Sequence, residues 1–292
     1  MRIGFHTNAY VWSGLADIER IARNAIEDGF DCIELGPGIP LEREIFSRVT
    51  KEIPVAAMIY CRNFIDDDTE AAMREQAELF RRMEFASDLG ARKMICSTGI
   101  SRRLSIPDSG GCDPTKSLEP VLEFLHRAVC RAKELGLVLC LENCPMYRNI
   151  ATSPYLWKVI FDNIPDPALG LCYDASHFVW QFIDVYGPME EYRDRIHHVH
   201  LKDTRLYPEK LQRIGILHNT ARERGFDENQ WWRHTILGNG EINWHRFMEI
   251  VKTLPSPLLD LSFEQEDCCF ESDPQNVRRG LEIQLRRLNT YL

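Results

Sequence analysis

The chain has 292 residues and a formal net charge of −9, from 35 basic and 44 acidic residues, with 44% hydrophobic and 27% charged positions. This balance excludes a disordered chain and a minimal disulfide-held scaffold, and it argues against a nucleic-acid duplex as partner. No run approaches the ~20 apolar residues of a membrane span, and the opening MRIGFHTNAY has neither the basic segment nor the apolar run of a signal peptide, so a cytoplasmic protein with no membrane partner is expected.

In chain order, Ile3–Phe5 is a short apolar run, and Leu15–Asp28 follows with helical spacing that stops at Gly29. Asp31–Leu35 (DCIEL) and Pro54–Tyr60 (PVAAMIY) read as strands. Thr69–Leu89 reads as a long helix ended by Gly90, and Arg92–Ser97 (RKMICS) as the next strand. Ser117–Leu135 is helical up to Gly136. Leu137–Asn143 (LVLCLEN), Ala168–Asp174 (ALGLCYD), Ile196–Lys202 (IHHVHLK) and Leu258–Glu264 (LLDLSFE) are strand-like, and Pro274–Leu288 closes the chain as a helix.

These are eight strand candidates, nearly all followed by helical patterns. Such alternation implies parallel pairing, because each crossover needs a dozen or more residues. Several strands are apolar on both faces, as strands covered on both sides should be. The expected fold is therefore α/β: a closed (β/α)8 TIM barrel forming a single domain over 1–292. An open doubly wound sheet is the alternative, and the lack of a GxGxxG turn after the first strand argues against it. One segment breaks the rhythm. Thr204–Leu237 is too long for an ordinary βα loop and predicts a long insertion after the seventh strand. It carries Trp231-Trp232-Arg233-His234 and reads as a lid over the site, or as a surface excursion or subunit contact.

The chain holds 10 cysteines and no CxxC pair, which leaves a zinc–thiolate site with little support. Cys32, Cys96, Cys140 and Cys172 lie inside apolar runs and read as reduced core residues. Cys268-Cys269, after the last strand, read as structural.

Four polar residues end or nearly end consecutive strands: Glu142 in LCLEN, Asp174 in LCYD, His200 in HVHLKD and Glu264 in LSFEQED. Each alone has an ordinary explanation, as a helix cap or a hydrogen-bonded core histidine. In a barrel, however, the C-terminal strand ends surround one cavity, so the four converge. Three carboxylates brought together repel and raise one another's pKa unless a cation neutralises them. With one imidazole they suit one divalent metal ion of the Mn2+, Mg2+ or Co2+ kind, Zn2+ being allowed. His177, three residues beyond Asp174, is placed to orient a ligand or to bind substrate. Strand alternation puts His198, His200 and Lys202 on one face and His197 on the other. His198, deeper in the strand, reads as a supporting or packing residue.

At these residues the sequence resembles the xylose isomerase-like barrel superfamily of sugar isomerases, epimerases and AP endonucleases, over nearly its whole length. The most specific pieces are Glu142-Asn143, Asp174-x-x-His177, His200-Leu201-Lys202-Asp203, Gly238-Asn239-Gly240-Glu241-Ile242-Asn243-Trp244 and Phe263-Glu264-Gln265-Glu266-Asp267. The last three look like the sugar phosphate isomerase/epimerase branch, and the Trp-Trp-Arg before the glycine loop resembles members acting on sugars or oxidised glycosides. The resemblance implies one divalent metal ion, Mn2+ foremost, on residues matching Glu142, Asp174, His200 and Glu264. It implies a small-molecule sugar substrate; the net charge argues against nucleic acid, and a homo-oligomer is allowed.

The chemistry so implied is an isomerase or epimerase reaction: a proton moves on the carbon beside a carbonyl while a Lewis acid stabilises the enediolate. Glu142 and Glu264 would take and return the proton. His177, Arg233, Trp232, Lys202 and Arg205 are the candidate substrate contacts. His6 and Trp12, after the first strand, are pocket-wall or structural residues. Some ketose 3-epimerases carry a further Glu where this chain has Arg148, and an Arg where it has Leu206, with Arg205 one position earlier. Those departures count against a free-ketose 3-epimerase. The alternatives are a lyase on the same site, dehydrating a keto-inositol or cleaving a keto-glycoside, an endonuclease-IV-type nuclease, and a non-catalytic barrel. The nuclease needs extra histidines after strands three and four, where the chain reads Tyr60-Cys61-Arg62-Asn63 and Ser97-Thr98-Gly99.

Overall fold

The computed structural model describes residues 1–106, 112–145, 149–216 and 230–292. The apolar runs become β1 (Arg2–His6), β2 (Cys32–Leu35), β3 (Val55–Ile59), β4 (Lys93–Cys96), β5 (Val138–Glu142), β6 (Leu169–Asp174) and β7 (Ile196–Leu201). After them come β8 (Asp203–Leu206), β9 (Trp232–Thr235) and β10 (Asp260–Phe263). Eight of these close a barrel in the order β1-β10-β7-β6-β5-β4-β3-β2, and β8 and β9 form a separate two-stranded antiparallel ribbon. The barrel strands lie within two residues of the expected bounds, and they pair in parallel.

Capping chemistry trims the helices relative to the periodicity. The first amphipathic helix is Ile18–Glu27 rather than Leu15–Asp28, because the Asp17 side chain caps it by accepting from the Arg20 amide. Asp68 caps Thr69–Asp88 in the same way. A 3-10 turn, Pro114–Ser117, takes Ser117 out of the helix that starts at Leu118. The last helix runs past Leu288 to Tyr291.

Two apolar layers hold the barrel. The larger one lies between strands and surrounding helices and includes Phe46, Phe124, Trp157 and Phe247. A smaller one joins Ala57, Ile59, Cys61, Ile95, Cys140 and Cys172. The predicted core thiols Cys32, Cys96, Cys140 and Cys172 are buried and free, whereas Cys268 and Cys269 are exposed. At the N-terminal ends of the strands, the buried Lys93 ammonium donates to Asp260 (2.5 Å), Leu258 O (2.7 Å) and His197 O (3.2 Å). Arg2 forks onto the same carboxylate at 2.8 and 2.9 Å.

The glycine loop that follows β9 is built around Asp203. This buried carboxylate accepts from the amides of Thr204, Gly238, Gly240 and Ile242 and from Trp244 Nε1. The Lys-Asp and Gly-Asn-Gly-Glu-Ile-Asn-Trp motifs, 35 to 41 positions apart, are thus one structural unit that pins the ribbon to the barrel. Gly240 is required there: a Cβ would lie 2.2 Å from Asp203 Oδ1 and 2.4 Å from Thr204 O. Gly240→Ala is expected to cost about 1–3 kcal/mol or more in overpacking. A urea melt should show it; an unchanged midpoint would contradict this account of the loop.

Candidate active site

The C-terminal strand ends converge as expected. Glu142 ends β5, Asp174 ends β6, His200 is the penultimate residue of β7 and Glu264 follows β10. His200 Nδ1 lies 2.9 Å from Glu142 Oε1, 3.2 Å from Glu264 Oε2 and 4.0 Å from Asp174 Oδ2. His177 Nε2 reaches the same cluster, 3.3 Å from Asp174 Oδ2. His6 Nδ1 stands 3.6 Å from Glu264 Oε1. All six of these side chains are buried.

Backbone anchors fix the cluster. Asn143 clamps Asp174 on both sides, accepting from its amide (2.9 Å) and donating to its carbonyl (2.8 Å). Asn149 ties the end of β5 to Thr98, donating to the Glu142 carbonyl and accepting from the Thr98 amide and hydroxyl. Cys61 Sγ, beyond β3, donates to Glu142 Oε2 at 3.2 Å.

Charge is heavily negative here. Lys202 is buried, and its ammonium stands 2.6 Å from Glu264, 3.0 Å from Asp174 and 3.2 Å from Glu266. Burial and the Glu264 charge raise the Glu142 carboxyl above its ordinary value. Glu264 goes the other way: burial opposes its charge, but Lys202 and His200 hold it well below the usual range. Burial and the Lys202 charge push His177 down, so it is neutral near pH 7.

The residues fit a divalent ion. Asp174 Oδ2 is buried without a hydrogen-bond donor, meeting Lys202 as an ion pair. Three carboxylates with imidazole nitrogens from His200 or His177 form a hard-to-borderline donor set. Glu142, Asp174, His177 and Glu264 each offer an atom within 4.8 Å of the others, and His200 Nδ1 lies within 4.0 Å of the three carboxylates.

The ribbon divides the remaining candidates between its two faces. Arg205 pairs with Arg233, and Thr204 with His234. Directly opposed residues share a face, so the arginines point one way and Thr204, Trp232 and His234 the other. Trp232 stacks on Trp180 at 4.6 Å and meets His234 at 5.1 Å; His234 in turn meets His177 at 5.0 Å. Arg205 and Arg233 instead line a groove of about 480 Å³ with Asn239, Asp267 and Phe270. The expectation that Trp232 and Arg233 face the site together is therefore corrected, because strand alternation separates neighbours. The residue that shares the inward face with Trp232 is His234. Trp12, last in the short helix after β1, is half-buried. Residues 217–229 of the lid segment, and Arg148, lie outside the described residues.

Three residues of this region were given no role of their own in the sequence reading. Glu34, on β2, is a lone acid inside an apolar run, and its side chain is hydrogen-bonded to His198 (2.8 Å) and His200 (3.1 Å). His234 is held by Thr204: the threonine hydroxyl donates to Ser176 O, so it accepts from His234 Nδ1 at 2.8 Å. His234 Nε2 is left buried and without a partner. Glu266 lies 3.9 Å from that nitrogen. The signals were present: an acid interrupting DCIEL, and acids two apart in Glu264-Gln265-Glu266.

A model of the xylose isomerase-like TIM barrel family matches residues 22–288. The chain belongs to this family. A family relative, inosose dehydratase of Klebsiella pneumoniae, is 25% identical over 235 residues, covering 76% of this chain and 74% of that one. Bacillus subtilis (strain 168) YfiH is 26% identical over 221 residues, 68% of this chain and 67% of its own length. Among solved structures, L-ribulose 3-epimerase superposes with a TM-score of 0.70 at 19% identity, covering 100% of this chain and 94% of that one. The barrel fold is thus shared over the whole chain, and the family match spans residues 22–288. Among the described residues, no helix is long and apolar enough to cross a membrane.

Proposed function

We propose that this protein is a divalent-metal-dependent isomerase or epimerase of a sugar or keto-sugar derivative. The observation that carries the reading is the convergence of Glu142, Asp174, His200 and Glu264 on one buried point, with the two glutamates on either side of His200 Nδ1 at 2.9 and 3.2 Å. These four residues would hold the ion, Mn2+ suiting the donor set best, and it would supply Lewis-acid polarisation of the substrate carbonyl.

The chain's own residues do the rest. One of Glu142 and Glu264 takes the proton from the carbon beside the carbonyl, and the other returns a proton to that carbon or to its neighbour. His177, neutral and with Nε2 at the edge of the carboxylate cluster, is placed to hydrogen-bond a substrate hydroxyl, as is His234 Nε2. Lys202 neutralises Asp174 and Glu264 and orients an oxygen of the substrate. The Trp180–Trp232 stack supplies a flat apolar wall for sugar C–H groups.

A lyase is the second reading, and Glu266 favours it. This third glutamate beside Lys202 is pushed up to about 7 by burial, although Lys202 opposes the shift. A protonated Glu266 can give its proton to a departing hydroxyl after the carbon acid is deprotonated, completing loss of water. The inosose dehydratase relative gives this reading weight.

The test is incubation of the Mn2+-loaded protein in D2O with ketoses, keto-inositols and 3-keto-glycosides. An epimerase or isomerase puts deuterium beside the carbonyl in a rearranged product; a lyase releases water or an alcohol. Absence of both with metal bound would overturn the assignment. The ribbon geometry adds a prediction. Trp232→Ala is expected to lower kcat/KM at least tenfold, the loss of about 1.4 kcal/mol of contact, whereas Arg233→Ala stays within a few-fold. The reverse order would place the arginine face toward substrate.

A further inference from the structure

We propose that Glu34 is a positioning residue: it orients His200 toward the carboxylate cluster and thereby sets how tightly that cluster holds a divalent ion. The inference rests on the function proposed above and adds to it a residue from the opposite side of the barrel.

The geometry is a relay beneath the site. Glu34 Oε1 lies 3.1 Å from His200 Nε2, and its Oε2 lies 2.8 Å from His198 Nε2. His198 Nε2 also meets Ser262 Oγ at 3.0 Å. The other nitrogen of His200, Nδ1, is the one that faces Glu142 and Glu264. Glu34 is therefore on the far side of the imidazole from the cluster and is not itself one of the ligands.

The proton inventory then decides the tautomer. A carboxylate only accepts hydrogen bonds, and a neutral imidazole has one N–H and one lone pair. Carboxylates face both nitrogens of His200, so with no ion bound both can carry a proton; a bound ion would need the Nδ1 lone pair, and Glu34 would then hold the one remaining N–H on Nε2. A carboxylate behind a metal-ligating histidine fixes its ring and raises its basicity, and loss of such a partner typically costs 10–100-fold in affinity.

Packing alone gives no reason for Glu34. Its side chain is fully buried in the barrel interior, where an isolated carboxylate is strongly disfavoured and an apolar side chain of similar volume would be cheaper. The strand register around it is also irregular. The β2–β3 pairing shifts between Ile33 and Glu34, and the β6–β7 pairing shifts between Leu171 and Cys172, beside His198. Such irregularities re-aim side chains next to functional sites. The His200 ring is further boxed by His198, edge-on at 5.5 Å, and by His6, stacked at 6.2 Å. Glu34 supplies the hydrogen bond that chooses between the two flips this box still allows.

The experiment is Mn2+ titration calorimetry on wild type and Glu34→Gln, with long-range 1H–15N NMR of the histidine rings in the zinc-loaded protein. Wild type should bind one Mn2+ per chain and show His200 protonated on Nε2. Glu34→Gln should keep its circular dichroism, bind Mn2+ about 10–100-fold more weakly, and lose the single His200 tautomer. If Glu34→Gln binds as tightly as wild type with the same tautomer, the Glu34 proposal alone is overturned. A wild-type protein that binds no divalent ion overturns the proposed function, and the Glu34 inference with it. The wild-type spectrum is decisive even if Glu34→Gln does not fold: a His200 proton on Nδ1 in the loaded protein overturns the positioning role.

Discussion

Glu142→Gln and Glu264→Gln are each expected to abolish proton exchange beside a substrate carbonyl while the barrel persists. A positioned acid or base is worth about 10²–10⁴-fold in rate. The loss here should exceed that range, because each substitution also removes a charge from the candidate ion site. The fold should survive. Glu142 sits against Glu264 in a buried, negatively charged cluster, and the like charge raises its pKa. Neutralising it relieves that repulsion. Glutamine keeps an oxygen to accept from Cys61 and gains an amide N–H that can donate to His200 Nδ1. Deuterium exchange followed by mass spectrometry measures the rate, and elemental analysis measures the bound ion. Near-normal exchange in either variant with metal bound would remove that residue from the acid/base pair.

The second large effect is expected far from the chemistry, at Asp260. Asp260→Asn should lower stability by about 3–5 kcal/mol, the usual cost of breaking a buried pair and leaving one charge unmatched. For a chain of this size that is a fall in Tm of roughly 10 °C. The stranded charge is Lys93, whose side chain is 1% exposed and whose carboxylate partner is 4% exposed. The backbone carbonyls of His197 and Leu258 hydrogen-bond the ammonium but do not neutralise it. The pair also sets an acid limit. Burial alone would raise the Asp260 carboxyl, but Arg2 and Lys93 lower it from 3.8 to about 2. Its folded pKa lies below the unfolded one. The contribution is therefore fully present above about pH 4 and is lost as pH falls through about 2. Wild type should lose stability more steeply than Asp260→Asn across that window. Parallel acid limbs in the two proteins would show that Lys93 is not relying on Asp260.

The sequence by itself determined the barrel and the four converging residues. Parallel strands buried on both faces must be written as unbroken apolar runs, so LVLCLEN, ALGLCYD and IHHVHLK announced themselves locally. Helix stops at Gly29, Gly90 and Gly136 were equally local, each glycine having the positive φ that ends a helix cheaply. Because barrel topology sends all C-terminal strand ends to one cavity, the polar residues closing those runs could be assembled without coordinates. Pairing across the barrel was of another kind. Glu34 meets His198 and His200, 164 and 166 positions away, and Lys93 meets Asp260, 167 away. Nothing in DCIEL or RKMICS names those partners. The faces of the β8–β9 ribbon were likewise hidden, since alternation says only that Trp232 and Arg233 diverge, not which one turns inward. Tertiary structure decided these points because periodicity reports how each side chain meets its immediate surroundings. Which buried charge meets which depends on closure and register, and these exist only once the whole barrel has formed.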